Sequence, residues 1–227
     1  MNILAIETSC PVGGVALIRD GVVVREIAFE KGMEHGRLLA AKADEICEAE
    51  GWRVERDVDV LAVSLGPGSF TGLRVGAAFA RGVAFAASRP MVGVCSFDAM
   101  ARNAPSDARF ICTVLDAKRG DVYAAVYERQ GAEIARLRGP EVARPTTVAA
   151  ALPRPAVVLG DGSRADPGAF ASPGIVISAP DLWPPRAGVI GLLAEPLARQ
   201  GRFTPPEKIA PIYLRRPEAE EKRLAAK

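Results

Sequence analysis

Between residues 58 and 95, the apolar run Val58-Asp59-Val60-Leu61-Ala62-Val63-Ser64-Leu65 leads into Gly66-Pro67-Gly68-Ser69-Phe70-Thr71-Gly72. A segment to Ser88 charged only at Arg74 and Arg81 follows, and then Met91-Val92-Gly93-Val94-Cys95. Short apolar runs bounded by turn residues read as buried strands, and Ser or Thr ahead of a helix-length apolar segment reads as a helix start. Strand, glycine-rich turn, helix and strand make a β-α-β crossover, which commits the chain to parallel strands joined through a helix.

That helix, expected over 72–88, has an unusual surface. Arg74 and Arg81 are seven apart and share one stripe; at about 100° per residue Phe79 and Val83 face away from it, while Ala77, Ala78, Ala84 and Phe85 flank it. So much apolar flank needs cover, from the rest of the chain or from a partner protein. Gly76 and Gly82 would let another backbone come close, at a cost of about 1 kcal/mol each relative to Ala if they were exposed. Leu38 falls on the wet side of the preceding amphipathic segment. The expected partner interface is therefore Leu38, Leu73, Arg74, Ala77, Ala78, Arg81, Ala84 and Phe85.

Upstream, Asn2 to Glu7 reads as a strand, the turn Thr8-Ser9-Cys10-Pro11-Val12-Gly13 follows, and Gly14 to Ile18 resumes the strand pattern. Asp20-Gly21 is a hairpin signal, so Val22 to Phe29 returns as a third antiparallel strand. Residues 34–50 are amphipathic, with Leu39, Ala43, Ile46 and Cys47 opposite Arg37, Asp44, Glu45 and Glu48. The order β-β-β-α-β-α-β matches one half of the ribonuclease-H-like, actin-like ATPase architecture, an α/β fold. Its hairpin turns contact phosphates, which makes Thr8, Ser9 and Gly13 candidate nucleotide contacts.

A second meander, Phe110 to Leu115, Val122 to Tyr127 and Glu133 to Leu137, repeats the opening. The pattern then degenerates: a short helix within 140–152, a strand over Ala156 to Leu159 ending in Gly160-Asp161-Gly162, a Pro-, Gly- and Ser-rich stretch over 163–185, and a last helix from Ala187 to Gln200. The expected division is a first lobe over 1–103, a truncated second lobe over 104–216 and a flexible tail over 217–227.

Composition narrows the chemistry. A net charge of +2 gives no sign of a nucleic-acid or membrane-surface binder. Four cysteines stand singly, without the paired spacing of a zinc or redox centre, and read as buried thiols. With no secretory signal and no spanning segment, a cytoplasmic protein is expected. His35 is the single histidine, so metal and general-base chemistry must do without that residue type or use it alone.

The glycine-rich loop over 66–72 lacks the Lys of a Walker loop and reads first as a turn and cap, second as a phosphate cradle. Glu7, Asp98, Asp116 and Asp161 are placed at strand ends, where α/β proteins keep their sites; turn capping is the plainer reading of each, and Asp161 with Gly160 and Gly162 joins the candidate nucleotide contacts. Lys118, Arg119, Arg215 and Arg216 read as solvated surface before RNA contacts.

Ile6-Glu7-Thr8-Ser9, the loop from Gly66 to Arg74, Asp116-Ala117-Lys118-Arg119-Gly120-Asp121-Val122-Tyr123 and Pro211-Ile212-Tyr213-Leu214-Arg215 together resemble the TsaB (formerly YeaZ) family, along nearly the whole chain. That family belongs to the bacterial machinery that makes threonylcarbamoyladenosine in tRNAs reading codons that begin with A, and TsaB is a paralogue of the catalytic subunit TsaD. Where TsaD continues with Asp-Glu-Thr this chain has Pro11-Val12-Gly13, and where TsaD carries two metal-binding histidines it has Ser96 and Met100. The resemblance implies a non-catalytic scaffold without metal or cofactor, with ATP at most at a complex interface. It also implies binding to TsaD, assembly with the ATPase TsaE, a homodimer in the absence of TsaD, and only indirect contact with tRNA. A nucleotide-binding regulator and a glycoprotease-type metallopeptidase or transferase are the alternatives.

Overall fold

The computed structural model describes residues 1–29 and 35–215; the expected tail, Arg216 and the side chain of His35 lie outside the described residues. The chain opens with β1 (Asn2–Glu7), β2 (Gly14–Arg19) and β3 (Val22–Ala28), then α1 (His35–Glu50), α2 (Val54–Asp57), β4 (Val60–Ser64), α3 (Phe70–Ala87), β5 (Met91–Val94) and α4 (Ser96–Ala101). It continues with β6 (Phe110–Asp116), β7 (Val122–Gln130), β8 (Glu133–Ala143), α5 (Pro145–Ala150), β9 (Ala156–Leu159), α6 (Pro167–Phe170), β10 (Ile175–Ile177) and α7 (Ala187–Arg199).

The strands form two sheets, ordered β3-β2-β1-β4-β5 and β10-β9-β6-β7-β8. In each, a three-stranded antiparallel meander is extended by two parallel strands. The duplication is complete at the level of the sheets. Truncation is confined to the crossover helices, where α5 and α6 have 6 and 4 residues against 16 and 18 in α1 and α3.

The first sheet is buried on both faces. Leu4, Ile6, Val15, Leu17, Leu61 and Val63 pack under α1 and α3, and Ile3, Ala5, Ala16, Ile18, Val60 and Ala62 pack under α7. Residues 104–216 are thus not one second lobe as expected: α7 and the buried Ile209 complete the core of the first. The reason is area, since near-continuous apolar strands leave a second face that α1 and α3 cannot reach. In the second sheet Cys112, Val114 and Val126 face α5 and α6, while Ile111, Tyr127 and Leu159 meet Phe97, Met100 and Ala101 of α4 between the sheets.

Helix α3 lies very close to the turn after β1. A Cβ added at Gly72 would sit 2.0 Å from the Thr8 carbonyl oxygen, and one at Gly76 2.2 Å from Thr8 Oγ1. Gly82 has nothing within 4 Å. Gly72→Ala is expected to lower stability by about 2 kcal/mol because rigid backbone must move, whereas Gly82→Ala should raise it by up to about 1 kcal/mol through helix propensity. Opposite shifts of the two urea midpoints confirm this packing; equal midpoints refute it.

Candidate functional site

The turn over 8–11, the loop over 66–69 and the start of α3 form one wall of a cleft between the sheets. The end of β6 and its following turn form the other. The cleft has a volume of about 350 Å³ and is lined by Ser9, Ser69, Phe70, Asp116, Lys118 and Asp161, among others. On the first wall the Ser69 side chain caps α3 by accepting from the Gly72 N–H at 3.2 Å, and the Ser69 N–H donates to the Ser9 carbonyl at 2.6 Å. A Cβ at Gly68 would lie 2.2 Å from that same carbonyl. The loop's glycines thus bring two backbones together, in agreement with the cap-and-turn reading.

Of the six candidate nucleotide contacts, only Ser9 and Asp161 share this cleft. Thr8 is buried beneath α3, its hydroxyl donating to the Gly72 carbonyl at 2.8 Å. Gly13 accepts from the Phe29 N–H at 2.7 Å and lines a different cleft, with Glu26 and Arg186. Gly160, at φ +118°, and Gly162 are buried against the backbone of β6, where a Cβ at Gly160 would stand 1.8 Å from the Val114 carbonyl oxygen. These two glycines allow the close packing of this turn on β6.

The four carboxyl groups divide. Asp98 lies in the first turn of α4, not at a strand end, and accepts from Tyr127 Oη at 2.9 Å and from Arg136 Nε at 3.1 Å. Asp116 pairs with Lys118 Nζ at 2.7 Å, which holds its carboxyl below the usual range, and its N–H donates to Asp161 Oδ1 at 3.1 Å. These three serve the turn and tie roles. Glu7 is different: it is fully buried, one oxygen accepts from the Ser9 N–H and the other has no partner among the described residues. Burial outweighs the hydrogen bond from the Ser9 N–H and pushes its pKa up to about 7. Burial likewise raises the thiols of Cys10, Cys47, Cys95 and Cys112, which suits inert packing groups.

Ser96 and Met100 are both buried: Ser96 Oγ accepts from the Gly66 N–H at 3.0 Å, and Met100 sits in the apolar layer between the sheets. Among the described residues, no group of three or more His, Cys, Asp and Glu side chains is placed to hold a metal ion.

The expected interface on α3 is rotated. Leu73, Ala77 and Ala84 are buried, and Leu38 is half-buried against the same core. Arg74, Ala78 and Arg81 are exposed and Phe85 is 89% exposed, joined by Phe70, Gly82 and Ala86. The helix seats its smallest residues on the sheet, so Phe79 and Val83, expected innermost, end at the edge of the contact. At its start the Arg74 guanidinium lies 3.8 Å over the Phe70 ring and Nε donates to Tyr213 Oη at 3.0 Å. Phe70 and Tyr213 were not expected at this face; an aromatic directly after the capping Ser69 was the available signal. Arg215, expected as solvated surface, instead binds the turn after β6, where Lys118 and Arg119 adopt positive φ.

A family model described as TsaD, tRNA N6-adenosine threonylcarbamoyltransferase, matches residues 25–164. The chain is 32% identical over 224 residues to the tRNA threonylcarbamoyladenosine biosynthesis protein TsaB of Escherichia coli (strain K12), spanning 95% of each protein. It is 33% identical over 129 residues, 56% of each, to the Bacillus subtilis (strain 168) protein of the same name. Among solved structures it resembles YeaZ from Pseudomonas aeruginosa, with a TM-score of 0.82 at 26% identity over 94% of this chain and 99% of that one.

Proposed function

Given that this chain belongs to the TsaB family and takes part in forming threonylcarbamoyladenosine in tRNA, we propose that it does so as a non-catalytic scaffold that docks TsaD through the exposed face of α3. The observation that carries this reading is Phe85, a large apolar ring 89% exposed on a stripe with Arg74, Ala78 and Arg81. Exposed apolar surface interleaved with arginine is the composition of protein interfaces. The partner is argued from the match of residues 25–164, α3 included, to the TsaD family model. Related folds can pair through equivalent faces about a pseudo-twofold axis, and the same face then serves a homodimer when TsaD is absent.

TsaE joins the pair in this reading, tRNA is contacted by the other subunits, and the tRNAs modified are those reading codons that begin with A. No cofactor is assigned to this subunit. The described helices include none long and apolar enough to cross a membrane, and the cytoplasm is the proposed compartment. Two carboxylates against one ammonium line the cleft, a poor balance for a polyphosphate, so the nucleotide-regulator reading ranks second.

Reconstituted tRNA modification is the test. Omitting this chain should abolish product while the chain alone neither hydrolyses ATP nor modifies tRNA. ATP turnover by the purified chain that Asp161→Ala removes would overturn the scaffold reading.

A further inference from the structure

The last described residues run as a strap across both lobes. Thr204 N–H donates to the Met91 carbonyl at 2.7 Å and its Oγ1 accepts from the Gly93 N–H at 3.0 Å, so the strap starts on β5. Ile209 is buried in the core beneath α1 and α3, and the Ile212 N–H donates to the Leu65 carbonyl at 2.7 Å. Tyr213 then packs on Phe70, ring centroids 5.3 Å apart, and accepts from Arg74 Nε. Two residues later Arg215 reaches the other lobe, donating to the Ala117 carbonyl at 2.7 Å and to Asp121 Oδ2 at 2.5 Å.

Those end points are both walls of the interlobe cleft, since Phe70 lines one and Ala117 the other. Phe70 and Arg74 also begin the exposed stripe of α3. We infer that residues 204–215 are a latch that couples the start of the α3 face to the opening of the cleft. A contact that moves Phe70 or Arg74 moves Tyr213, and through Arg215 it frees or holds the turn over 117–121. The charge-assisted pair with Asp121 gives the latch its grip, and the stacked ring gives it a release point exposed at 45%. The latch is a property of the chain alone and does not depend on what docks on α3.

Hydrogen exchange on the full chain tests it. In the turn, the Ala117 amide is bonded to the Asp121 carbonyl and the Asp121 amide to the Lys118 carbonyl, so both report on it. Tyr213→Ala is expected to speed exchange of these two amides about tenfold, while amides of β4 keep their rates. Unchanged rates at Ala117 and Asp121, or an equal acceleration in β4, would overturn the latch. Should Tyr213→Ala fail to fold, Asp121→Asn gives the reciprocal measurement: faster exchange of the Ile212 amide supports coupling, and an unchanged rate refutes it.

Discussion

Phe85→Asp is expected to shift the melting curve of the chain only slightly and to weaken the docking on TsaD proposed above at least about a hundredfold. The first half follows from exposure: at 89% the ring contributes little to the folded monomer, and a carboxylate there remains in water. The second follows from burying that carboxylate in the proposed interface, where losing one aromatic anchor costs about 2 kcal/mol or more, a hundredfold is about 2.7 kcal/mol, and an unpaired charge adds desolvation. Ala78→Asp, seven residues before it on the same face, should act alike. Ala77→Asp is the contrasting substitution, since Ala77 is buried and a charge there should unfold the chain instead. Calorimetric titration of TsaD into each folded variant decides the matter. Affinity unchanged by both surface substitutions removes α3 as the docking face.

Stability should decline as pH rises from about 4.5 to about 7, and Glu7→Gln should flatten that decline. Glu7 is raised from 4.5 to about 7 by burial. Inside that window the folded chain keeps a proton on Glu7 that the unfolded chain has released, so raising the pH favours unfolding. The penalty is absent below the window, complete above it, and amounts to about 3 kcal/mol. Asp20, Asp57, Asp116 and Glu128, held below their usual range by cationic partners and hydrogen bonds, act in the opposite sense but in acid, below the window. Urea unfolding at pH 5 and pH 8 measures the difference directly. Equal slopes against pH for the two proteins would mean that Glu7 is ionised in the folded chain.

The order of elements was legible because its signals are local. Asp20-Gly21 turns the first hairpin, Ser69 caps α3, and the apolar run before Gly66 becomes β4 with its parallel neighbours. What was not legible depends on distant partners. The strand expected over Glu133 to Leu137 instead runs on through Gly139-Pro140 to Ala143 with shifted register, which an edge strand tolerates. The rotation of α3 is not legible because the two arginines mark only the edge of the wet face, whereas the close approach of Thr8 decides which residues are innermost. Glu7 looked like its neighbours among the strand-end carboxyls, and only the covering helix distinguishes it. The stretch over 163–185 held too little periodicity to reveal β10, a strand of three residues.

Helix α7 covers strands whose own sequence lies far upstream. During synthesis one face of the opening sheet therefore stays wet until about the two-hundredth residue has cleared the ribosome, while β6 to β10 already have their partners. A chain ending before Ala187 would therefore carry an uncovered apolar sheet face, the kind of surface that aggregates.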